Sequence, residues 1–320
     1  MRIAFILALA LPALTALAQN TTTSYTYDLN GRPVVAGVDV ATKSDGTTTR
    51  TEEGVSVNGR TVPRQSVEEK TLRSDANHTV VERLVTEYNP NGQPGLPEKV
   101  LIDAQTNSDG SKTIQTSVYR GDINGAMHLD EQTTTERREQ GQIVDTTSVV
   151  SRPSINGGLA TVEKRQSVQQ LRPDGMHEST DVYRKDDNGD FYQARRQITD
   201  QTKKNGTVTE NTAVYEPGAG GPMQLTSQTV RTTTKEADGS EHIQVDIYGR
   251  NVPGTVRDPD AKLELKEQQL IDRTPGNGNK VVETLSVRRP TISDPTTLGS
   301  ARKLSETVCT GKCEDPAAQP

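Results

Sequence analysis

Hydrophobic and polar residues alternate with a period of two along much of the chain. In the segment 242–248, Ile243, Val245 and Ile247 fall on one side, and polar residues or tyrosine fall on the other. The segment 113–119 repeats this pattern. Successive side chains of a β-strand point to opposite faces, so a period of two predicts strands, here about ten residues long.

Turn dipeptides separate these strands at regular intervals. One series recurs every 30 to 34 residues, at Asp45-Gly46, Asp75-Ala76, Asp109-Gly110, Gln140-Gly141, Asp174-Gly175, Asn205-Gly206 and Asp238-Gly239. A second series falls midway between them, at Asn58-Gly59, Asn91-Gly92, Asn124-Gly125, Asn156-Gly157 and Asn188-Gly189. Asn-Gly and Asp-Gly favour tight hairpins because both residues tolerate a positive φ. The two series together predict a repeating two-strand unit.

The repeat predicts an all-β fold. We expect about nine units near 32 residues, paired as modules near 65, which form a repetitive antiparallel β-meander of about 16–18 strands in a curled or shell-like sheet. A β-propeller-like fold and a two-sided β-solenoid are the alternatives. An outer-membrane barrel needs an apolar outer band with aromatic girdles, and the charged segment 136–139 argues against one.

The chain divides into three segments. Residues 1–18 resemble a signal peptide, with Arg2 before an apolar run and a small-x-small site at 16–18. Residues 19–303 form the β-repeat domain, and residues 304–320 form a Cys-containing C-terminal tail. The signal predicts a secreted protein that is periplasmic, on the cell surface or extracellular. After cleavage no membrane-spanning segment is expected.

Composition narrows the classes of partner. The formal net charge is −6, which argues against nucleic acid because a nucleic-acid partner favours a basic surface. Hydrophobic residues make up 30% of the chain and aromatic residues 3%, so we expect a thin core or a largely solvated sheet. Sheet of this kind favours partners that bind its surface: a cell-surface or extracellular polymer, another protein, or a second copy of the chain.

The two cysteines, Cys309 and Cys313, both fall in the predicted tail. In an oxidising compartment we expect a local disulfide between them, with intermolecular bonding as the alternative. Two thiols do not complete a zinc site, which needs about four ligands.

One N-terminal segment resembles a known repeat. The sequence Tyr-Thr-Tyr-Asp-Leu-Asn-Gly-Arg at 25–32 is similar to the tyrosine-aspartate (YD) repeat of the Rhs and teneurin families, and 88–93 and 119–125 carry partial versions. The resemblance implies a secreted, spiralling antiparallel β-shell and carries no activity across.

No catalytic or metal site is predicted. The histidines His78, His128, His177 and His242 lie in non-neighbouring units, which favours solvated strand ends over metal ligands. The acidic segment 186–190 resembles the start of a calcium loop but lacks the remaining ligand spacing, which favours a hairpin loop. The sequence contains no nucleophile elbow, His-Glu-x-x-His or phosphate loop, and we expect no cofactor.

These observations predict an exported, non-enzymatic structural or interaction protein that presents an extended polar β-sheet surface, with strand addition at exposed edges as one binding mode. The alternative function is a carbohydrate-active or other hydrolytic enzyme that uses acidic residues on a sheet face. A third option is a shell or accessory component that works with a separate partner.

Overall fold

The computed structural model describes residues 18–27, 33–44, 46–55, 60–218, 221–250, 263–277, 280–291 and 297–310. Residues 1–17 of the signal peptide predicted at 1–18, and the last ten residues, including Cys313, lie outside this part of the chain. All regular secondary structure in the described residues is β-strand. The prediction of an all-β fold is therefore confirmed.

Eighteen strands follow one another along the chain. Their bounds are β1 Ala18–Tyr27, β2 Pro33–Ser44, β3 Thr47–Val55, β4 Thr61–Ser74, β5 His78–Glu87, β6 Glu98–Thr106, β7 Lys112–Gly121, β8 Met127–Gln140, β9 Ile143–Pro153, β10 Leu159–Arg172, β11 Gly175–Lys185, β12 Phe191–Lys204, β13 Thr207–Pro217, β14 Met223–Lys235, β15 Glu241–Gly249, β16 Glu264–Gly276, β17 Lys280–Arg288 and β18 Arg302–Thr310.

The predicted turn dipeptides join these strands. Asn205 and Gly206 form the two-residue turn between β12 and β13 with φ angles of 50° and 79°. Both angles lie in the left-handed region that Asn and Gly tolerate best. Connections of two to five residues join the strands at one end of the sheet, here called the short-turn end, whereas connections of five to fourteen residues join them at the other, the loop end. The first residue of β1 and the last residue of β18 lie at the short-turn end.

Each strand pairs antiparallel with its neighbours in sequence, and the last strand pairs with the first. Residues Thr21–Thr26 of β1 bond to Ser305–Thr310 of β18, so the sheet closes into an 18-strand barrel. The predicted antiparallel meander and its strand number are confirmed. The open curled sheet or shell, the propeller and the solenoid are replaced by a closed barrel, because closure pairs the two edges that an open meander would expose.

A belt of β-bulges runs around the barrel near the loop end. Eight even-numbered strands each carry one extra residue there, at Ala36, Arg64, Asp130, Val162, Ala194, Thr226, Lys266 and Leu304. From Asp130 to Thr226 the extra residues recur every 32 positions, the spacing of the sequence repeat. A bulge bends its strand and increases its twist, as curvature into a barrel requires.

Cross-strand partners sort the side chains into two walls, because directly paired residues point to the same side of a sheet. One wall holds the least exposed aliphatic side chains, which are 2% to 8% exposed: Val144, Val150, Val214, Ile243 and Val287. The opposite wall holds Leu84 and Val168, which are 36% and 49% exposed. Side chains converge on the concave side of a curved sheet, so the first wall is the inner wall and faces the lumen.

The barrel is hollow. All eighteen described strands belong to the one closed sheet, and no described element fills its lumen. Among the described residues, no ion pair joins strands that are not adjacent, so none crosses the lumen. The lumen wall is therefore a concave surface that no other described element covers.

Candidate functional site

The inner wall carries two aliphatic sectors that face each other. In the first, Val81 of β5 pairs with Ile102 of β6, and Val100 of β6 pairs with Val118 of β7. Ala104 and Ile114 pair one step closer to the short-turn end and extend the same patch. The second sector lies on β15 to β17, half-way round the ring, with Ile243, Val245, Ile247, Ile271, Leu285 and Val287.

Ion pairs border the inner wall at the loop end. Carboxylates on even-numbered strands meet guanidinium groups from the next odd-numbered strand or the connection that follows it. The pairs are Arg120–Glu98 at 3.4 Å, Arg152–Glu131 at 2.9 Å, Arg184–Glu163 at 2.8 Å and Arg289–Glu267 at 2.8 Å. Glu163 also accepts a hydrogen bond from Arg165 at 2.6 Å. This loop-end ion-pair ring gives the mouth of the lumen a polar rim.

A cavity of 380 Å³ lies at the mouth beside the first aliphatic sector. Its lining residues are Glu98, Val118, Arg120, Asp130, Glu131 and Arg152. Asp130 is the bulge residue of β8 and lies 3.4 Å from Arg120, the guanidinium that also meets Glu98. Three carboxylates therefore face two guanidinium groups. Val118 joins this charged cavity to the aliphatic sector.

Aromatic residues encircle the outer wall near the loop end. Seven of the eight tyrosines lie there, at 25, 27, 88, 119, 183, 215 and 248. Lys303 lies 4.8 Å from the Tyr27 ring centre and Lys99 lies 5.1 Å from that of Tyr119. Ammonium groups at these distances interact favourably with the ring faces. The arrangement forms an aromatic ring on the loop-end half of the outer wall.

Several charges on the outer wall are also paired across strands. Near the short-turn end, three histidine–aspartate pairs recur: His78–Asp103 at 2.8 Å, His177–Asp200 at 2.7 Å and His242–Asp272 at 2.6 Å. Nearer the middle, Arg196 donates two hydrogen bonds to Asp181, at 2.7 and 2.9 Å. An aliphatic residue lies on the same wall of many strands, including Val40, Val80, Leu101, Val149, Val168, Ile198, Val230, Leu270, Val282 and Val308.

Aspartates in the connections hold the turns. In the connections 107–111 and 236–240, Asp109 and Asp238 accept hydrogen bonds from the hydroxyl and backbone N–H groups of Ser111 and Ser240. The hydrogen bond from the serine hydroxyl contributes most to lowering the pKa of each aspartate, and the hydrogen bond from the backbone N–H lowers this pKa further. At the loop end, the side-chain hydrogen bond from His128 similarly lowers the pKa of Asp122.

The structure places the residues considered in the sequence as follows. The four histidines pair with different aspartates and do not converge; His128 meets Asp122 at 3.1 Å. In the segment 186–190, the Asp186 carboxylate accepts backbone hydrogen bonds from Asn188 and Asp190, as in a hairpin loop. No cluster of three potential metal ligands occurs among the described residues.

Cys309 lies in β18 on the inner wall, where it pairs with Thr22 and Val281. The disulfide between Cys309 and Cys313 stays a prediction, since Cys313 lies outside the described residues. The proposed division at residues 303 and 304 also stays a prediction; β18 runs through it to Thr310.

The charged segment 136–139 that argued against a barrel lies in the last residues of β8, beside the turn at 141–142. Even-numbered strands such as β8 and β10 are 14 residues long. Strands of about 9–11 residues suffice to cross a bilayer, so these charges fall at the rim of the barrel. The aromatic ring was also missed, although recurrent apolar–Tyr pairs such as Val118-Tyr119 and Val182-Tyr183 mark it in the sequence.

Among the described residues, no helix is long and apolar enough to cross a membrane. No protein-family model matches the chain, and no curated protein matches it.

Among solved structures, the barrel is similar to outer-membrane porins. Pseudomonas aeruginosa OccK2 (OpdF), in complex with glucuronate, matches with a TM-score of 0.51 and 9% identity over 92% of this chain and 96% of that chain. Salmonella typhi OmpF, in complex with daunomycin, matches with a TM-score of 0.48 and 9% identity over 92% and 97% of the two chains. At this identity the likeness is one of fold.

These findings correct three predictions. The resemblance to YD-repeat shells is wrong, because the chain forms a closed barrel with porin-like neighbours. The predicted function as a structural or interaction protein, and its alternative as a hydrolytic enzyme, are wrong for the same reason, the porin-like closed barrel. The expectation of no membrane-spanning segment is also overturned, since a closed β-barrel is an architecture that crosses membranes with strands.

Proposed function

We propose that the chain forms a water-filled β-barrel channel in a bacterial outer membrane. The observation that carries this proposal is the closed 18-strand meander around a hollow lumen with a polar, ion-paired mouth. Closure satisfies the backbone hydrogen bonds of every strand within the barrel, which a bilayer requires. A lumen lined with charged and hydroxyl side chains holds water and admits polar solutes.

Three further features support the same function. The apolar N-terminal segment fits export through the inner membrane. The short turns lie at one end and the longer connections at the other, as in outer-membrane barrels with short periplasmic turns. The aromatic ring on the outer wall would then lie at the interface near the outer leaflet. In this orientation the loop-end ion-pair ring opens to the exterior.

Charged side chains on the outer wall would cost free energy where they face lipid. A charged side chain at the bilayer midplane of a barrel costs about 2–4 kcal/mol for Arg or Lys, so Arg196 is expensive unless its charge is neutralised. Asp181 neutralises it with two hydrogen bonds, and Glu82 lies 3.8 Å from Lys99. Pairing of this kind, together with the aliphatic residues on many strands, is what would make the outer wall compatible with lipid.

The test is recovery and conductance of the full chain. Expressed with its own leader in a Gram-negative host, the protein should fractionate with the outer membrane, and the purified protein should produce stepwise currents in a planar bilayer. A matched control ends at residue 301, which removes β18 and leaves both sheet edges unpaired; it should give no steps. Recovery of the full chain as a soluble periplasmic protein without currents would contradict the proposal.

A further inference from the structure

The first aliphatic sector of the inner wall is an apolar surface inside a polar channel. Val81, Val100, Ile102 and Val118 are neighbours across three strands, and each is partly exposed rather than covered by another element. Ala104 and Ile114 continue the patch toward the short-turn end. Apolar surface of this extent in contact with water favours a ligand that covers it.

The patch has the shape of a strip with one charged end. From Val118 to Ile114 it follows β7 for about 13 Å, given the rise per residue of a strand. At the Val118 end it opens into the 380 Å³ cavity at the mouth. A ligand that fits both parts has a polar head in the cavity and an apolar tail along the strip.

The charges of the cavity indicate the sign of that head. Arg120 meets both Glu98 and Asp130, and Arg152 is held by Glu131, so each guanidinium is already neutralised. The three carboxylates exceed the two guanidinium groups by one charge. An incoming cation would find a complementary field, whereas an anion would have to displace a carboxylate from arginine.

From this juxtaposition of the strip and the acidic cavity, we infer that the inner wall at β5 to β8 is a binding site for single-chain amphiphiles with a cationic head. The aliphatic tail lies along Val118, Val100 and Ile102, and the head lies among Glu98, Asp130 and Glu131. The inference rests on the proposed channel in that it names a solute class for the lumen, and it is measurable as binding whether or not the barrel conducts.

The test is equilibrium dialysis of decyltrimethylammonium against the folded full chain in a fixed lipid or amphipol environment. We expect saturable binding of one probe per barrel above the partition into that environment. Tetramethylammonium lacks the tail and decyl sulfate has the opposite charge, so neither should displace the probe at equal concentration. Displacement by both compounds, or binding that never saturates, would overturn the inference.

Matched variants separate the tail from the head. Ile102→Asn should weaken binding by about tenfold, since it removes apolar contact along the tail. Val245→Asn makes a similar change on the opposite sector and should leave binding unchanged. Val100→Thr is a second variant of the strip, which makes the side chain polar with almost no change in its volume and so disturbs the fold least. Far-ultraviolet circular dichroism would reveal misfolding of either variant. Equal binding by wild type, Ile102→Asn and Val100→Thr in folded barrels would refute the assigned strip.

Glu131→Gln should weaken the trimethylammonium probe by several-fold while it leaves the uncharged decyl maltoside unaffected, whereas Glu210→Gln on β13 should alter neither. Conductance distinguishes this inference from the proposed function. Binding without currents would leave the amphiphile site standing and contradict the channel. If the barrel conducts but decyltrimethylammonium neither binds to it nor blocks its currents, the channel proposal stands and the amphiphile site is refuted.

Discussion

The two walls of the barrel divide the same residue types differently. The inner wall gathers aliphatic side chains into two facing sectors and carries ion pairs at both ends, with Arg184–Glu163 at the loop end and Arg273–Glu241 at the short-turn end. The outer wall spreads single aliphatic residues over many strands, with tyrosines toward one end and histidine–aspartate pairs toward the other. Because charges occur on both walls, composition does not distinguish them. Curvature does, since it crowds side chains on one side and separates them on the other.

The largest expected effect comes from deleting Ala194, the bulge residue of β12. Gln193 and Arg195 already face opposite walls, since they pair with Tyr183 and Val182 of β11. The deletion therefore keeps the alternation of the two walls but removes the local bend and extra twist that the bulge gives β12. Because the bulge belt supplies curvature to the barrel, we expect the free energy of unfolding in lipid vesicles to fall by about 3–5 kcal/mol, measured by urea unfolding.

Ala194→Ser retains the residue count and is the matched control. It should fold as the wild type does. If the deletion variant also folds with wild-type stability, the bulge belt does not set the curvature of the barrel.

The second effect compares adjacent residues of β12 that face opposite walls. Ile198 pairs with Ser179 and Ala213 on the outer wall, and Gln197 pairs with Thr180 and Val214 on the inner wall. In lipid vesicles, Ile198→Arg should lower the free energy of unfolding by about 2–4 kcal/mol, the cost of a basic residue facing the bilayer midplane. Gln197→Arg should lower the free energy of unfolding by less than about 1 kcal/mol, because the new guanidinium group stays in the water of the lumen.

Urea unfolding of both variants in the same vesicles measures this difference. Equal losses would show that the outer wall does not face lipid, and the channel proposal would then fail.

A smaller effect is expected at Glu163 in the loop-end ion-pair ring. Glu163 is 9% exposed and accepts hydrogen bonds from Arg165 and Arg184. Glu163→Gln removes the charge that neutralises them and should lower the free energy of unfolding by about 1–2 kcal/mol, since both guanidinium groups remain partly solvated.

The same variant should shift the reversal potential in a salt gradient toward anion selectivity, because the rim loses one negative charge. Glu136→Gln, at the exposed end of β8, is the control. An unchanged reversal potential in Glu163→Gln would mean that the ring does not line the ion pathway.

The smallest effect is the acid sensitivity of the turns, which belong to neither wall. Hydrogen bonds from Ser111 and Ser240 lower the pKa of Asp109 and Asp238 in the folded state. Their contribution to stability is therefore full above the unfolded pKa, near 3.8, and is lost as the pH falls through the lower folded pKa.

The variant pair Asp109→Asn and Asp238→Asn should flatten this part of the stability profile, measured by thermal unfolding between pH 5 and about pH 2. Asp187→Asn, in the loop 186–190, is the comparison. A profile in the double variant as steep as in the wild type would contradict the role of these turns.

Local signals in the sequence predict most of the strands and turns. Asn205-Gly206 specifies its hairpin through the φ angles that the two residues tolerate, and the alternation at Ile243, Val245 and Ile247 places those side chains on one face. Both signals act between near neighbours, so a single sequence carries them.

Closure and the choice of wall depend on distant pairings that leave no such signal. Thr23 pairs with Val308 across almost the whole chain, and Thr-rich strands offer no distinctive register. A bulge such as Ala194 is one extra residue in a long strand, and alternation alone does not reveal it. The amphiphile site was likewise hidden, because Val118 and Ile102 become neighbours only when β6 and β7 pair.

The pairing of β1 with β18 also determines the order of events during biogenesis. Under the proposed export, β1 leaves the export machinery first, and one of its edges stays unpaired until β18 follows. Loop-closure entropy grows slowly with length, so this wait adds little to the equilibrium cost, but non-local pairing lengthens the search. Until residues 302–310 emerge, the growing sheet exposes two unpaired strand edges, which favour aggregation. A chaperone that shields these edges would protect the protein most in that interval.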